Sequence, residues 1–181
     1  IKARVTFDPG VVVESDSDVY IHVSGSSASL TAEGTVSQRI VFTGIDKVKG
    51  SWRGISISSS SVNNKLVYVD VMHAGSSVTG DTKTAVFMKS NTDTKLSIKN
   101  TNISESDGYA LTTDGDDAVL IAFENNNFSN NAKAPLQIGG ENLYALNETS
   151  VFSGNGIQAV EMISRSVTFY NPGTISYSSL P

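Results

Sequence analysis

Leu96-Ser97-Ile98-Lys99-Asn100-Thr101-Asn102-Ile103-Ser104 is echoed by Ile121-Ala122-Phe123-Glu124-Asn125-Asn126-Asn127-Phe128-Ser129 at an offset of 25 residues. The echo keeps the apolar alternation, the Asn-rich centre and the apolar-Ser ending. Phe128-Ser129-Asn130-Asn131 then returns as Phe152-Ser153-Gly154-Asn155 at an offset of 24. Between these units a second apolar segment recurs, as Ala110-Leu111, Pro135-Leu136 and Ala159-Val160, spaced 25 and then 24. A period of this size with strand-like alternation is the signature of a solenoid with one coil per repeat. An antiparallel sandwich, the main competitor, accounts for the strands but not for the echo.

Working outward, each coil of 24–25 residues holds two or three short strands, and stacking coils about 4.8 Å apart pairs each strand with its equivalents above and below. One turn of the solenoid supplies the crossover that parallel strands need. Ile98, Ile103, Phe123, Phe128, Val151 and Phe152 are the inward candidates, and Ile55 and Ile57 alternate with Ser56 and Ser58. Whether Ala110 or Leu111 faces inward stays open. Asn at turns tolerates left-handed backbone and bonds turn amides, so Asn100 with Asn125 and Asn102 with Asn127 are candidate ladders. Leu66 and Leu96 stand 30 apart, which places about six extra residues in a loop near 75–83. Residues 1–48 read as entry or capping coils, 49–170 as the regular coils of one domain, and 171–181 as a tail. The whole makes about six to seven coils.

The chain of 181 residues is 39% hydrophobic with a net charge of −5, enough apolar material for a core. No Lys/Arg cluster is present to neutralise phosphates, which argues against nucleic acid. With no cysteine, disulfides and thiolate metal sites are excluded. No apolar run approaches the roughly 18 residues that insert into a membrane. The chain starts at Ile1 without a Met or a signal segment, as expected of a processed protein or an excised domain.

Ser29-Leu30-Thr31-Ala32-Glu33-Gly34-Thr35, Ile40-Val41-Phe42-Thr43-Gly44, Trp52-Arg53-Gly54-Ile55-Ser56-Ile57 and Leu66-Val67-Tyr68-Val69-Asp70-Val71-Met72-His73-Ala74-Gly75 together resemble the right-handed parallel β-helix proteins, the pectate-lyase-like solenoids of bacterial exported and surface proteins. The resemblance implies an all-β, right-handed parallel β-helix at the cell surface or outside the cell. It leaves the activity open, because this coil carries lyases, glycosidases, tailspikes and non-catalytic adhesins.

The acidic candidates are Asp93 in Asn91-Thr92-Asp93, then Asp114, Asp116 and Asp117. Asp93 and Asp116 are 23 apart, so they are expected on one edge of neighbouring coils. Polygalacturonases show a similar Asn-Thr-Asp followed by a paired Asp, and there the carboxylates protonate the glycosidic oxygen and activate water. That family's Gly-His-Gly and Arg-Ile-Lys are missing, the corresponding stretches being Ile138-Gly139-Gly140-Glu141 and Ile163-Ser164-Arg165. Asp114, Asp116 and Asp117 are also the candidate calcium ligands, since hard cations want clustered oxygens. His22 and His73 stand far apart in sequence, and His73 is expected in the wall, at the place Ile103 takes one coil on. Trp52, Tyr109 and Tyr144 are candidates for sugar stacking, with Trp52 also read as packing. The expectation is a non-catalytic extracellular module, polysaccharide-binding, adhesive or structural. The alternatives are a calcium-assisted lyase or hydrolase of acidic glycans and a spacer or capping fragment of a larger surface protein. Self-association end to end or through an open edge is a further expectation.

Overall fold

The computed structural model describes residues 1–76 and 82–163, and these wind into six coils. The first coil holds β1 (Arg4–Phe7), β2 (Val12–Ser15) and β3 (Tyr20–Ser24); the second holds β4 (Ser29–Glu33), β5 (Ile40–Gly44) and β6 (Gly54–Ser58). In the third lie β7 (Lys65–Val67), β8 (Val69–Met72) and β9 (Thr84–Met88), and in the fourth β10 (Lys95–Lys99), β11 (Asn102–Ser104) and β12 (Tyr109–Thr113). The fifth contains β13 (Val119–Glu124), β14 (Asn127–Ser129) and β15 (Leu136–Ile138); the sixth contains β16 (Val151–Ser153) and β17 (Val160–Met162). Strands at equivalent places stack into three sheets, β1-β4-β7-β10-β13, β2-β5-β8-β11-β14-β16 and β3-β6-β9-β12-β15-β17. Every pairing among the described strands is parallel, which rules out the sandwich.

The alternation in sequence becomes ranks of like side chains running along the solenoid axis. Phe7, Ala32, Leu66, Ile98 and Phe123 line up in the first sheet. Val13, Phe42, Val71, Ile103, Phe128 and Phe152 do so in the second. In the third, Ile21, Ile55, Val86, Leu111, Leu136 and Val160 share a rank, which assigns Leu111 to the core row. Within these ranks, everything from the second coil to the fifth is buried. Edge-to-face contacts, Phe7–Phe42 at 5.1 Å and Phe123–Phe128 at 5.6 Å, join rank to rank.

Two further ranks explain the turns. Tyr68, Asn100 and Asn125 between the first and second sheets, and His73, Glu105, Asn130 and Gly154 between the second and third, all have positive φ. The ladders sit beside these positions rather than on them. Asn126 Oδ1 accepts from Thr101 N–H while its amide donates to Ile98 O. Asn131 Oδ1 accepts from Ser106 N–H, and its amide donates to Ile103 O and to Asn155 Oδ1. Asn100 and Asn125 are therefore bend residues, and Asn102, level with Asn127, donates to Asp70 instead.

Several expectations need correction. Ile103 pairs with Val71, so His73 is a turn residue with φ of 63°, its Nδ1 2.8 Å from Thr43 Oγ1, and not part of the wall. Val151 is 57% exposed, because Phe152 takes the inward place in β16. Leu66 pairs with Ile98, an offset of 32 rather than 30. The extra residues do lie between β8 and β9, in the segment that includes 75–83. Position 48 falls between β5 and β6 of the second coil. Leu143-Tyr144-Ala145 belongs to a 3₁₀ helix, Gly140–Ala145, that packs beside β13 where a strand of the first sheet would lie. Asn142 fixes it, accepting from Leu120 N–H at 2.8 Å and donating to Ala118 O at 2.7 Å. Residues 164–170 of the expected regular coils and the tail 171–181 lie outside the described residues.

Candidate binding face

The acidic residues are placed by a turn between the third and first sheets. The strand after this turn is paired at an offset of 24, Lys95 with Val119, against the 23 that separates Asp93 from Asp116. Asp93 and Asp117 are exposed. The other two carboxylates hold coils together: Asp114 Oδ1 accepts from Ser90 N–H, and Asp116 Oδ1 accepts from Gly140 N–H at 3.1 Å. Gly139 must be glycine for this, since a Cβ there would stand 2.4 Å from Asp116 Oδ1. No three His, Asp or Glu side chains among the described residues converge as a metal-holding group.

The three aromatics do not share one platform. Trp52 is fully buried and its indole N–H donates to Met72 O at 2.8 Å, so neither ring face is open to a sugar. Tyr144 lies half-buried in the 3₁₀ helix beside the first sheet. Tyr109, at the head of β12, belongs to a polar cluster that crosses three coils. Its hydroxyl donates to Glu161 Oε2 and accepts from Gln137 Nε2 at 2.9 Å, with Lys133 Nζ 4.9 Å from its ring centroid. Burial first, and then the hydrogen bond and negative charge of Glu161, push the phenol up to about 12. On the second sheet a comparable tie joins three coils: Arg39 bonds Asp70 Oδ1 at 2.8 Å, Val69 O at 2.8 Å and Asn100 O at 2.9 Å. These clusters are satisfied internally.

The first sheet offers an open concave surface instead. A groove of about 380 Å³ crosses its outer face, lined by Glu33 of β4, Lys65 and Val67 of β7, Ser97 and Lys99 of β10, and Ile121 and Ala122 of β13, with Val62 at its side. A volume of that order lies in the range of small-molecule pockets. It runs along the solenoid axis over four coils, about 14 Å at the usual strand spacing. Its apolar prominence comes from a β-bulge. Leu96 pairs with Leu120 and Ser97 with Ala122, which leaves Ile121 as an extra residue, 43% exposed. A bulge of this kind re-aims a side chain out of the regular alternation. Two ion pairs flank the groove, Lys65–Glu33 and Lys99–Glu124, each at 3.1 Å. Ser97, Lys99, Ile121 and Ala122 lie in the repeated stretch, and Glu33 and Val67 in the β-helix-like ones, but those motifs mark the coil and not a groove. The offset of 25 between Leu96 and Ile121 does not betray the bulge, since regular pairs such as Asn102 and Asn127 repeat at 25 too.

Fold and surface together define a parallel β-solenoid with a groove along one of its three sheets. Neither a protein-family model, nor a curated protein, nor a solved structure matches the chain. No helix among the described residues is long and apolar enough to cross a membrane.

Proposed function

We propose that this chain is a non-catalytic extracellular module that holds an extended polysaccharide along its first sheet. The observation that carries this reading is the axial groove over β4, β7, β10 and β13, with Ile121 pushed into it by the bulge. A linear polymer laid along the axis meets equivalent positions of successive coils, which a single compact ligand would not use. Asp114 and Asp116 are engaged by backbone amides of neighbouring coils, which favours a structural role for the acidic edge over acid–base work.

The test is affinity gel electrophoresis against a panel of neutral and acidic polysaccharides, with calcium and with chelator, while new chain ends are assayed in solution. Retention without cleavage is expected. Ile121→Asp should weaken retention at least tenfold with little change in melting temperature, since the side chain is exposed. Cleavage that vanishes in an Asp116→Ala/Asp117→Ala variant would replace this reading with a glycan lyase or hydrolase. Absence of both would leave a spacer.

A further inference from the structure

Resting on the polysaccharide reading of the groove, we infer that the glycan it takes is neutral, and that Glu33 and Glu124 are the residues that exclude acidic ones. The groove has two cationic side chains, and both are already matched. Lys65 donates to Glu33 Oε1 and Lys99 to Glu124 Oε1, so the four charges cancel. The adjoining turn adds no positive excess, since Lys95 follows Asp93 by two residues and its strand partner Val119 follows Asp117 by two. The whole chain carries a net charge of −5 and repels a polyanion at long range.

A neutral polymer meets none of these penalties. Val62, Val67 and Ile121 offer aliphatic surface to the C–H faces of sugar rings. The carboxylates accept and the ammonium groups donate, which suits hydroxyls that do both. Exposed ion pairs of this kind are weak, so replacing one partner frees the other without unfolding the sheet. The two glutamates act here as specificity residues: Glu33 lines the groove, Glu124 holds Lys99 beside it, and both carboxylates repel a uronate or sulfate laid there.

The experiment uses the 181-residue chain, a neutral β-glucan, a polyuronate and a sulfated glycan, at low and high salt. The expected result is retention by the neutral polymer that hardly changes with salt, and none by the polyanions. A Glu33→Gln/Glu124→Gln variant unmasks Lys65 and Lys99. It is expected to gain polyuronate retention at least tenfold, and to lose that gain at high salt. Salt-sensitive retention of polyanions by the unmodified chain, with none of the neutral polymer, would overturn this inference while sparing the polysaccharide reading. A double-Gln variant that gains nothing would overturn the role of the two glutamates. Failure of every polymer with both proteins would sink the polysaccharide reading itself.

Discussion

At the scale of single residues, two adjacent asparagines do opposite things. Asn131 is buried and its side chain serves Ser106 N–H, Ile103 O and Asn155, whereas Asn130 is exposed and supplies a left-handed bend. Asn131→Ala should lower unfolding free energy by about 2–4 kcal/mol, because two buried backbone groups of the fourth coil, Ser106 N–H and Ile103 O, lose a partner. Asn130→Gly should cost less than about 1 kcal/mol, since glycine accepts that backbone readily. Urea titration of both checks the contrast. The sequence makes Asn-rich turns visible, but Asn100, Asn125, Asn126 and Asn131 look alike until the register decides which amide points inward. Tyr109 gives a pH test. Its folded pKa of about 12 exceeds the unfolded value of 10.0, so its contribution is fully present below pH 10 and is lost as pH rises through about 12. Melting temperatures across that range should fall less steeply in Tyr109→Phe than in the parent chain. Equal slopes would show that another group governs the alkaline limb.

Elements are legible where the coils are regular and obscure where turns have grown. From β10 onward the pairings repeat at 24 or 25, and the echoes of the sequence coincide with the strands. Earlier, β4 pairs with β7 at an offset of 34, β5 with β8 at 29 and β6 with β9 at 31, although the coil itself does not change. Residues added to a turn shift the count without disturbing the sheet, so periodicity alone cannot find such a register. The groove is hidden for the same reason, since Glu33, Lys65 and Lys99 become neighbours only through those irregular offsets. Gly54 shows how tightly one element meets the next. It has φ of 115°, and a Cβ there would lie 2.3 Å from Ala85 O on β9. Gly54→Ala is therefore expected to cost upward of about 3 kcal/mol, through backbone strain and a clash with backbone. An exposed glycine with open space around it, Gly25, provides the control despite its own φ of 113°: Gly25→Ala should cost distinctly less. Comparable losses at both sites would mean that φ alone, not coil-to-coil approach, sets the requirement.

For the whole molecule, the question is whether six stacked coils unfold as one body. Solenoids couple each repeat mainly to its neighbours, so long arrays can melt in parts. Here one contiguous apolar cluster runs from Val23 and Leu30 to Phe128, Leu136 and Ile138, and Arg39 and Tyr109 each tie three coils together from outside. That continuity predicts a single cooperative transition. Trp52, the only tryptophan, is buried in the second coil and reports locally, while the far-ultraviolet signal of the strands reports on all coils. In urea the two probes should trace one coincident curve. The sharper test places the perturbation far from the reporter. Asn131→Ala weakens the fifth coil, and if the core is one unit the Trp52 curve must move by the same free energy as the strand signal. A Trp52 midpoint that stays fixed while the strand signal moves would mean that the early coils stand by themselves. The groove, which spans the second coil to the fifth, would then lose its ligand before the protein lost its fold, so retention in affinity gels and Trp52 fluorescence would part company at low urea.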